Sequence, residues 1–307
     1  MPLRSRVSKL VGSDVLFPKV PDHHKLNRPL VPNGLGIIYV LVSATYLFLL
    51  EYFKPGSSNV SSALTLAACI LFGGFMGLLD DWLDLRWRYK AFFPLIAAIP
   101  LISLATRLGL RTSIAIPFIG TINFFEYYYF IVIPLIVTIT TNTVNQLGGL
   151  NGLETICPAI ILIGLMLISG THAILLYIPL AIWLSLAFLN FQGKIFVGNT
   201  GSFAIGITLA AFSIISDIKS ALLISILPYV FNSALILLTY FVYRKKAQVS
   251  FDGEKLSSDH RRSLVTLITY HRPLTERKVV IITSLLVATS TSIALLVQWF
   301  PAALYSA

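Results

Sequence analysis

Long apolar runs separated by short polar stretches fill most of the chain. Nine such runs lie at 34–53, 60–79, 91–109, 125–141, 155–170, 172–190, 201–217, 220–243 and 279–300, the fifth and seventh being short. About 20 apolar residues in helical form cross the hydrocarbon layer of a bilayer. Ten-residue segments of alternating polarity are absent, which argues against a β-barrel. The pattern predicts an all-α, polytopic integral membrane protein with about nine transmembrane helices, organised as one domain over residues 1–307. Residues 1–33 are polar and carry Arg4, Arg6, Lys9, Lys19, Lys25 and Arg28, so no signal peptide is evident.

Composition agrees. Apolar residues make up 56% and charged residues 12% of the 307 positions, with mean hydropathy +0.82. A soluble enzyme needs about twice that charged fraction. Cys69 and Cys157 both fall in apolar runs, without metal or redox spacing. The net charge of +10 on so apolar a chain points to membrane orientation and anionic partners rather than nucleic acid. Nine spans place the loops 1–33, 80–90, 142–154, 191–200 and 244–278 on one side, and these carry 19 of the 23 Lys and Arg residues. The positive-inside rule assigns that side, and the N-terminus, to the cytoplasm. The same loops hold 10 of the 13 acidic residues, so chemistry is expected at that face. The basic stretch 244–278, with Arg244 and Lys245 at its start, suits either lipid headgroups or substrate phosphates.

Three of those loops can carry chemistry. Asp80-Asp81-Trp82-Leu83-Asp84 ends the second run, with Lys90 six residues on. Adjacent carboxylates near a bilayer are costly unless a cation shares their field. Mg²⁺ favours carboxylate oxygens together with substrate phosphates, and close like charges leave one carboxylate available as a base. The second loop is Thr141-Asn142-Thr143-Val144-Asn145-Gln146-Leu147-Gly148-Gly149-Leu150-Asn151-Gly152-Leu153-Glu154. Its amides can ligate metal or read a heterocycle, and its glycines admit a ligand close to backbone; an ordinary turn fits equally well. The third, Phe196-Val197-Gly198-Asn199-Thr200-Gly201-Ser202, can cradle an anion at a helix start or simply cap that helix. The five histidines lack zinc-ligand spacing. Carboxylates, amides, glycines and a lysine on one face suit Mg²⁺-dependent handling of a pyrophosphate at a membrane surface.

In this order, the motifs resemble those of the polyprenyl-phosphate N-acetylhexosamine-1-phosphate transferases, grouped as glycosyltransferase family 4. Asp80-Asp81-x-x-Asp84 resembles the Asp-rich signature of that superfamily. Leu85-Arg86-Trp87-Arg88-x-Lys90, Asn142-x-x-Asn145 followed by Gly149-Leu150-Asn151-Gly152-Leu153-Glu154, and Pro273-Leu274-Thr275-Glu276-Arg277 are similar to the dolichyl branch. Asp22-x-x-Lys25-x-x-Arg28-x-x-Val31-Pro32 resembles the segment before a nucleotide contact. The resemblance implies transfer of GlcNAc-1-phosphate from UDP-GlcNAc to a polyprenyl (dolichyl) phosphate, with release of UMP and inhibition by tunicamycin. It implies Asp80 and Asp81 as the catalytic acidic pair, and Asn145 and Asn199 as holders of Mg²⁺, with Mn²⁺ as an alternative. Lys90 then meets a phosphate, Gly149 and Asn151 the uracil, Phe196 the uracil face, Asn33 the ribose, and Arg244 and Lys245 the sugar phosphate. The lipid tail is expected in a groove between spans. Relatives often dimerise, so a homodimer is compatible with the resemblance.

The chain departs from the family pattern at two places. Most relatives have Asp where this chain has Asn199, which predicts weaker metal binding. Relatives also carry a further transmembrane helix ahead of the Asp22 segment, where 21 residues precede Asp22 here; nine spans with an external C-terminus are therefore expected. The compact last loop suggests an archaeal plasma membrane, or the endoplasmic reticulum in a eukaryote. An intramembrane prenyltransferase is the alternative enzyme, but it normally needs two Asp-rich motifs. A lipid transporter or lipid-binding protein is the non-enzymatic alternative, favoured if the Asp cluster is dispensable.

Overall fold

The structure is a computed structural model that describes residues 17–53, 60–117, 119–244 and 247–299. Lys245 lies outside the described residues. In chain order, a short hairpin of β1 (Lys19–Pro21) and β2 (Leu30–Pro32) leads into α1 (Gly36–Phe53) and α2 (Val60–Leu83). Next come α3 (Trp87–Ala97), α4 (Ile99–Leu108), a hairpin of β3 (Ser113–Ile116) and β4 (Gly120–Asn123), and α5 (Ile133–Gln146). The chain continues through α6 (Leu153–Ile168), α7 (Tyr177–Phe191) and α8 (Gly198–Ile215) to α9 (Lys219–Ser225) and α10 (Leu227–Tyr243). A hairpin of two-residue strands, β5 (Ser250–Phe251) and β6 (Leu256–Ser257), the short α11 (Leu264–Ile268) and α12 (Glu276–Trp299) complete it.

Each of the nine predicted runs is helical, but they are not nine equal spans. Among the described residues, seven helical stretches are long and apolar enough to cross a membrane, α3 and α4 together forming one of them, and an eighth span arises if α9 and α10 are counted together. That pair bends by 54° around Ile226, where Pro228 sits in the first turn of α10 and supplies no N–H to continue the ladder. The remaining run, α6, has 16 residues, about 24 Å of helix against a hydrocarbon layer of about 30 Å. A 3-10 turn over Gly170–Leu176 follows it and leads into α7.

The bundle is organised around α8, of which 89% is buried. It packs on α1, α2, α5 and α6, whereas α12 packs on α6 and on α9. Inside lipid, polar side chains must find partners within the protein. Thr208 of α8 donates to the Ala204 carbonyl (2.7 Å) and lies 2.8 Å from the Tyr39 hydroxyl. The two ends of the bundle differ in charge chemistry. At one end Arg111, Asp217 and Lys219 join, with Lys219 Nζ donating to the Arg111 carbonyl (2.6 Å) and pairing with Asp217 (2.6 Å). The other end gathers the loops rich in carboxylates, amides and glycines.

Candidate active site

The C-terminal end of α2 carries Asp80 and Asp81. That end of a helix already has negative character, so two carboxylates there need compensation. Asp80 is buried, with its Oδ2 2.8 Å from Lys90 Nζ and its Oδ1 accepting from Leu85 N–H at 3.0 Å. Asp81 is compensated by another helix. Its Oδ1 accepts from Asn199 N–H (2.9 Å), and its Oδ2 accepts from Thr200 N–H (3.0 Å) and the Thr200 hydroxyl (2.7 Å). The start of α8 has no side-chain cap of its own; Asp81, 118 residues away, satisfies its open N–H groups and meets the positive end of its dipole.

Two glycines make this junction possible. A methyl group on Gly77, one turn before Asp81, would overlap the Asn199 carbonyl, so only glycine lets α2 lie so close to α8. Gly198 has φ +70°, and a Cβ there would lie 2.8 Å from Asp81 Oδ2.

The Asn/Gly loop enters through Asn145, at the end of α5. Its amide donates to Asn199 Oδ1 (2.8 Å) and to Ser202 Oγ (2.9 Å), which leaves Asn145 Oδ1 as the acceptor atom. Asn33 and Phe196 approach from the other side, on strands of backbone bonded to each other: Phe196 N–H to the Pro32 carbonyl (2.8 Å) and Leu35 N–H to the Phe196 carbonyl (3.1 Å). Asp80, Asp81, Lys90, Asn145 and Asn199 therefore share one polar cluster, with Asn33 and Phe196 adjoining it through Gly198.

Two cavities open beside the cluster. One, of about 690 Å³, runs between α3, α5 and α10, with Lys90, Asn142 and Asn145 at its polar part and Trp87, Leu237 and Phe241 among its apolar walls. The other, of about 510 Å³, is lined by His23, His24, Gly148, Gly149, Asn232, Gln248 and Ser263. Gly149 faces this second cleft, whereas Asn151 is buried beneath it. Asn151 Nδ2 donates to Asp22 Oδ2 (2.7 Å) and Glu276 Oε1 (3.1 Å), and its backbone N–H donates to Glu276 Oε1 (2.8 Å). Lys25 pairs with the other oxygen of Glu276 at 2.9 Å. This clamp ties the first hairpin, the glycine loop and the head of α12 together.

The basic loop forms a third wall. Asn232 of α10 accepts from Leu264 N–H (2.9 Å) and so holds α11 against the bundle. At the tip between β5 and β6, backbone N–H groups of Lys255 and Glu254 bond Asp252 (2.7 and 3.0 Å) and hold its carboxyl below the usual range. Arg244 is exposed and ends α10 in a left-handed conformation, φ +50°, at the rim rather than in the cluster.

Asp22, Lys25, Glu276 and Ser202 stand in motifs quoted from the sequence without an individual role there, and Thr200 stands in the run read as a possible cap of its helix. Their signal is chemical: Asp22 and Glu276 are buried acids, and such groups need partners. Glu154, in the first turn of α6, also accepts a backbone hydrogen bond from Val197.

The donor atoms here are all oxygen, the set a hard divalent cation prefers. Among the described residues no group of three His, Cys, Asp or Glu side chains could hold a metal ion, so the amides of Asn145 and Asn199 are needed to complete a set with the carboxylates. The two amides already touch through a single N–H, leaving one amide oxygen of the pair fully open; the residues fit an ion completed by substrate phosphates.

The profile of Glycosyl transferase family 4 matches residues 62–217, which hold the Asp pair, the Asn/Gly loop and the start of α8. A protein of Saccharolobus solfataricus, provisionally named UDP-N-acetylglucosamine–dolichyl-phosphate N-acetylglucosaminephosphotransferase, is 34% identical over 91% of this chain and 85% of its own. The similarly named protein of Dictyostelium discoideum is 27% identical over 68% of this chain and 60% of its own. A phospho-N-acetylmuramoyl-pentapeptide-transferase of Streptococcus uberis is 30% identical over 78% of this chain and 75% of its own. With the profile covering the helices that build the polar cluster, the chain belongs to glycosyl transferase family 4.

Proposed function

We propose that this protein transfers N-acetylglucosamine-1-phosphate from UDP-N-acetylglucosamine to a dolichyl or related polyprenyl phosphate. An oxygen of the lipid phosphate bonds to the sugar-bearing phosphorus, the pyrophosphate bridge to UMP breaks, and UMP leaves with the bridging oxygen. The names of the relatives support the substrates. The observation that carries the reading is the junction of Asp81 with the start of α8, beside Asn145 and Lys90 at the polar part of an apolar groove.

Phosphoryl transfer needs positioning and charge neutralisation more than covalent help. The groove between α3, α5 and α10 suits a prenyl chain, with its phosphate beside Lys90 and Asp80. Asp80 or Asp81 positions that phosphate and takes its proton. The cleft at Gly149 suits the nucleotide, with Asn33 and Phe196 on its approach and Asn151 supporting the loop from below. Asn145 and Asn199, with the carboxylates, would hold a divalent cation, Mg²⁺ by preference and Mn²⁺ in its place. When bound, such an ion neutralises charge on the pyrophosphate and on the departing UMP. The excess of Lys and Arg on the loops at this end supports a cytoplasmic active face, and Arg244 and Lys245 are proposed to contact the sugar phosphate.

Purified protein supplied with radiolabelled UDP-N-acetylglucosamine, Mg²⁺ and dolichyl phosphate should form lipid-linked label and UMP in equal amounts. Tunicamycin should stop both. Absence of labelled lipid from a folded preparation, with dolichyl and undecaprenyl phosphate alike, would overturn the reading.

A further inference from the structure

We propose that the pocket between α11 and the head of α12 is a binding site for the phosphate of an anionic phospholipid, separate from the site described above. The cavity measures about 630 Å³ and is lined by the cationic and aromatic Arg261, Arg272 and Tyr270 together with the apolar Leu267 and Ile282. Its cationic side is built. The Arg261 guanidinium lies 4.1 Å over the Tyr270 ring, a stacking that holds the planar group in place with its N–H edge free to meet an anion. Among the described residues, neither Arg261 nor Arg272 forms an ion pair with an acid. The nearby Asp259 lies by His260, and Glu276 is taken up by Lys25.

The apolar side identifies what the anion is attached to. Ile282 is 37% exposed and stands at the head of a stripe on α12 made by Ile281, Leu285, Leu286, Ile293 and Leu296, all exposed on a helix that spans the membrane. That stripe meets acyl chains, so the pocket lies where a headgroup joins its tails. A free phosphate gains nothing from such a lip, whereas a phospholipid places its phosphate on the guanidinium groups and its chain along α12. Two arginines without acidic partners favour a headgroup of net negative charge over a zwitterionic one, which brings a cation of its own.

The pocket is distinct from the substrate clefts. The short α11 divides them: Val265 and Ser263 line the cleft at Gly149, whereas Leu267 and Ile268 line this one. The inference does not rest on the transferase reading, and its readout is lipid retention, not turnover.

The test uses the full chain in nanodiscs of equal phosphatidylglycerol and phosphatidylcholine, with retained lipid counted by native mass spectrometry after gentle release. Wild type should keep phosphatidylglycerol in preference. Arg261→Gln and Arg272→Gln should each lower that retention about fivefold, and the pair roughly 25-fold, from the contribution of one basic side chain near an anionic surface. Arg261→Lys with Arg272→Lys should keep most of it, which separates lost charge from lost folding. Equal retention of the two lipids by wild type, or undiminished preference in a folded double Gln variant, would overturn the proposal. Displacement of the lipid by millimolar inorganic phosphate would also overturn it, by showing that the site reads a free anion.

Discussion

Asp81 joins two tasks that are usually separate. It is the N-terminal cap of a helix it does not belong to, and it is half of the acidic pair proposed to act on the lipid phosphate. Asp81→Asn keeps the shape but removes the charge and turns an N–H₂ towards backbone donors. Hydrogen bonds to a charged group of this kind contribute about 1.5–3 kcal/mol, so the variant should melt several degrees lower as well as lose activity. Asp80→Asn keeps an acceptor for Leu85 N–H and loses only the pairing with Lys90. It should therefore lose turnover by about 10²-fold or more with a smaller change in melting temperature, which differential scanning fluorimetry and initial rates would separate. Asn199 is the residue at which the family pattern predicts a weaker ion. Its Oδ1 already accepts from Asn145, so Asn199→Asp adds charge without losing that contact. Half-saturating Mg²⁺ should fall; an unchanged or higher requirement would contradict the assignment. The Asp pair and Lys90 stand out in the sequence because charges are rare beside apolar runs, whereas Asn145 and Asn199 are singled out there only through the family resemblance, their loops reading equally well as a turn and a cap. The cap that Asp81 places on α8 is not legible there, since it joins residues 118 positions apart. Asn151 was legible as important, but its buried partners Asp22 and Glu276 were not, because nothing local ties them together.

Among the helices, legibility followed the apolar pattern and stopped where backbone geometry took over. The runs mark where helices lie. They do not reveal that 220–243 is bent by 54° at its first third, since a proline there reads the same whether it kinks a span or merely starts a helix. Nor do they reveal how closely helices meet. Gly77 is the decisive small residue on α2, and Gly77→Ala would force the Asp pair away from α8. The expected result is loss of most activity with helical content by circular dichroism unchanged; full activity would show that the junction adapts. The clamp on Glu276 links three elements at once. Glu276→Gln leaves Asn151 with a weaker acceptor and Lys25 without its pair, and it removes an acid from the first turn of α12, where the dipole favours one. The Michaelis constant for UDP-N-acetylglucosamine should rise several-fold, with the maximal rate changed much less, because the clamp supports the nucleotide cleft rather than the Asp pair.

At the scale of the molecule, the segregation of polar chemistry to one end is the main message of the sequence, and the fold gathers those loops as the charge count suggested. The opposite end holds the Arg111–Asp217–Lys219 cluster and the β3–β4 hairpin. The proposed orientation can be read with a membrane-impermeant maleimide, since the two native cysteines are buried. Thr121→Cys, on the exposed β4, should label from outside intact cells, and Gln248→Cys, beside the nucleotide cleft, only after permeabilisation. The reverse pattern would place the active face outside. One shared polar cluster does the chemistry in the proposed reaction. The most direct measurement is the single-turnover rate of sugar-phosphate transfer to dolichyl phosphate by purified wild type, Asp80→Asn, Asp81→Asn and Asn145→Ala under saturating Mg²⁺. Transfer by wild type with at least about 10²-fold loss in each variant is the predicted result, and transfer undiminished in either aspartate variant would contradict it.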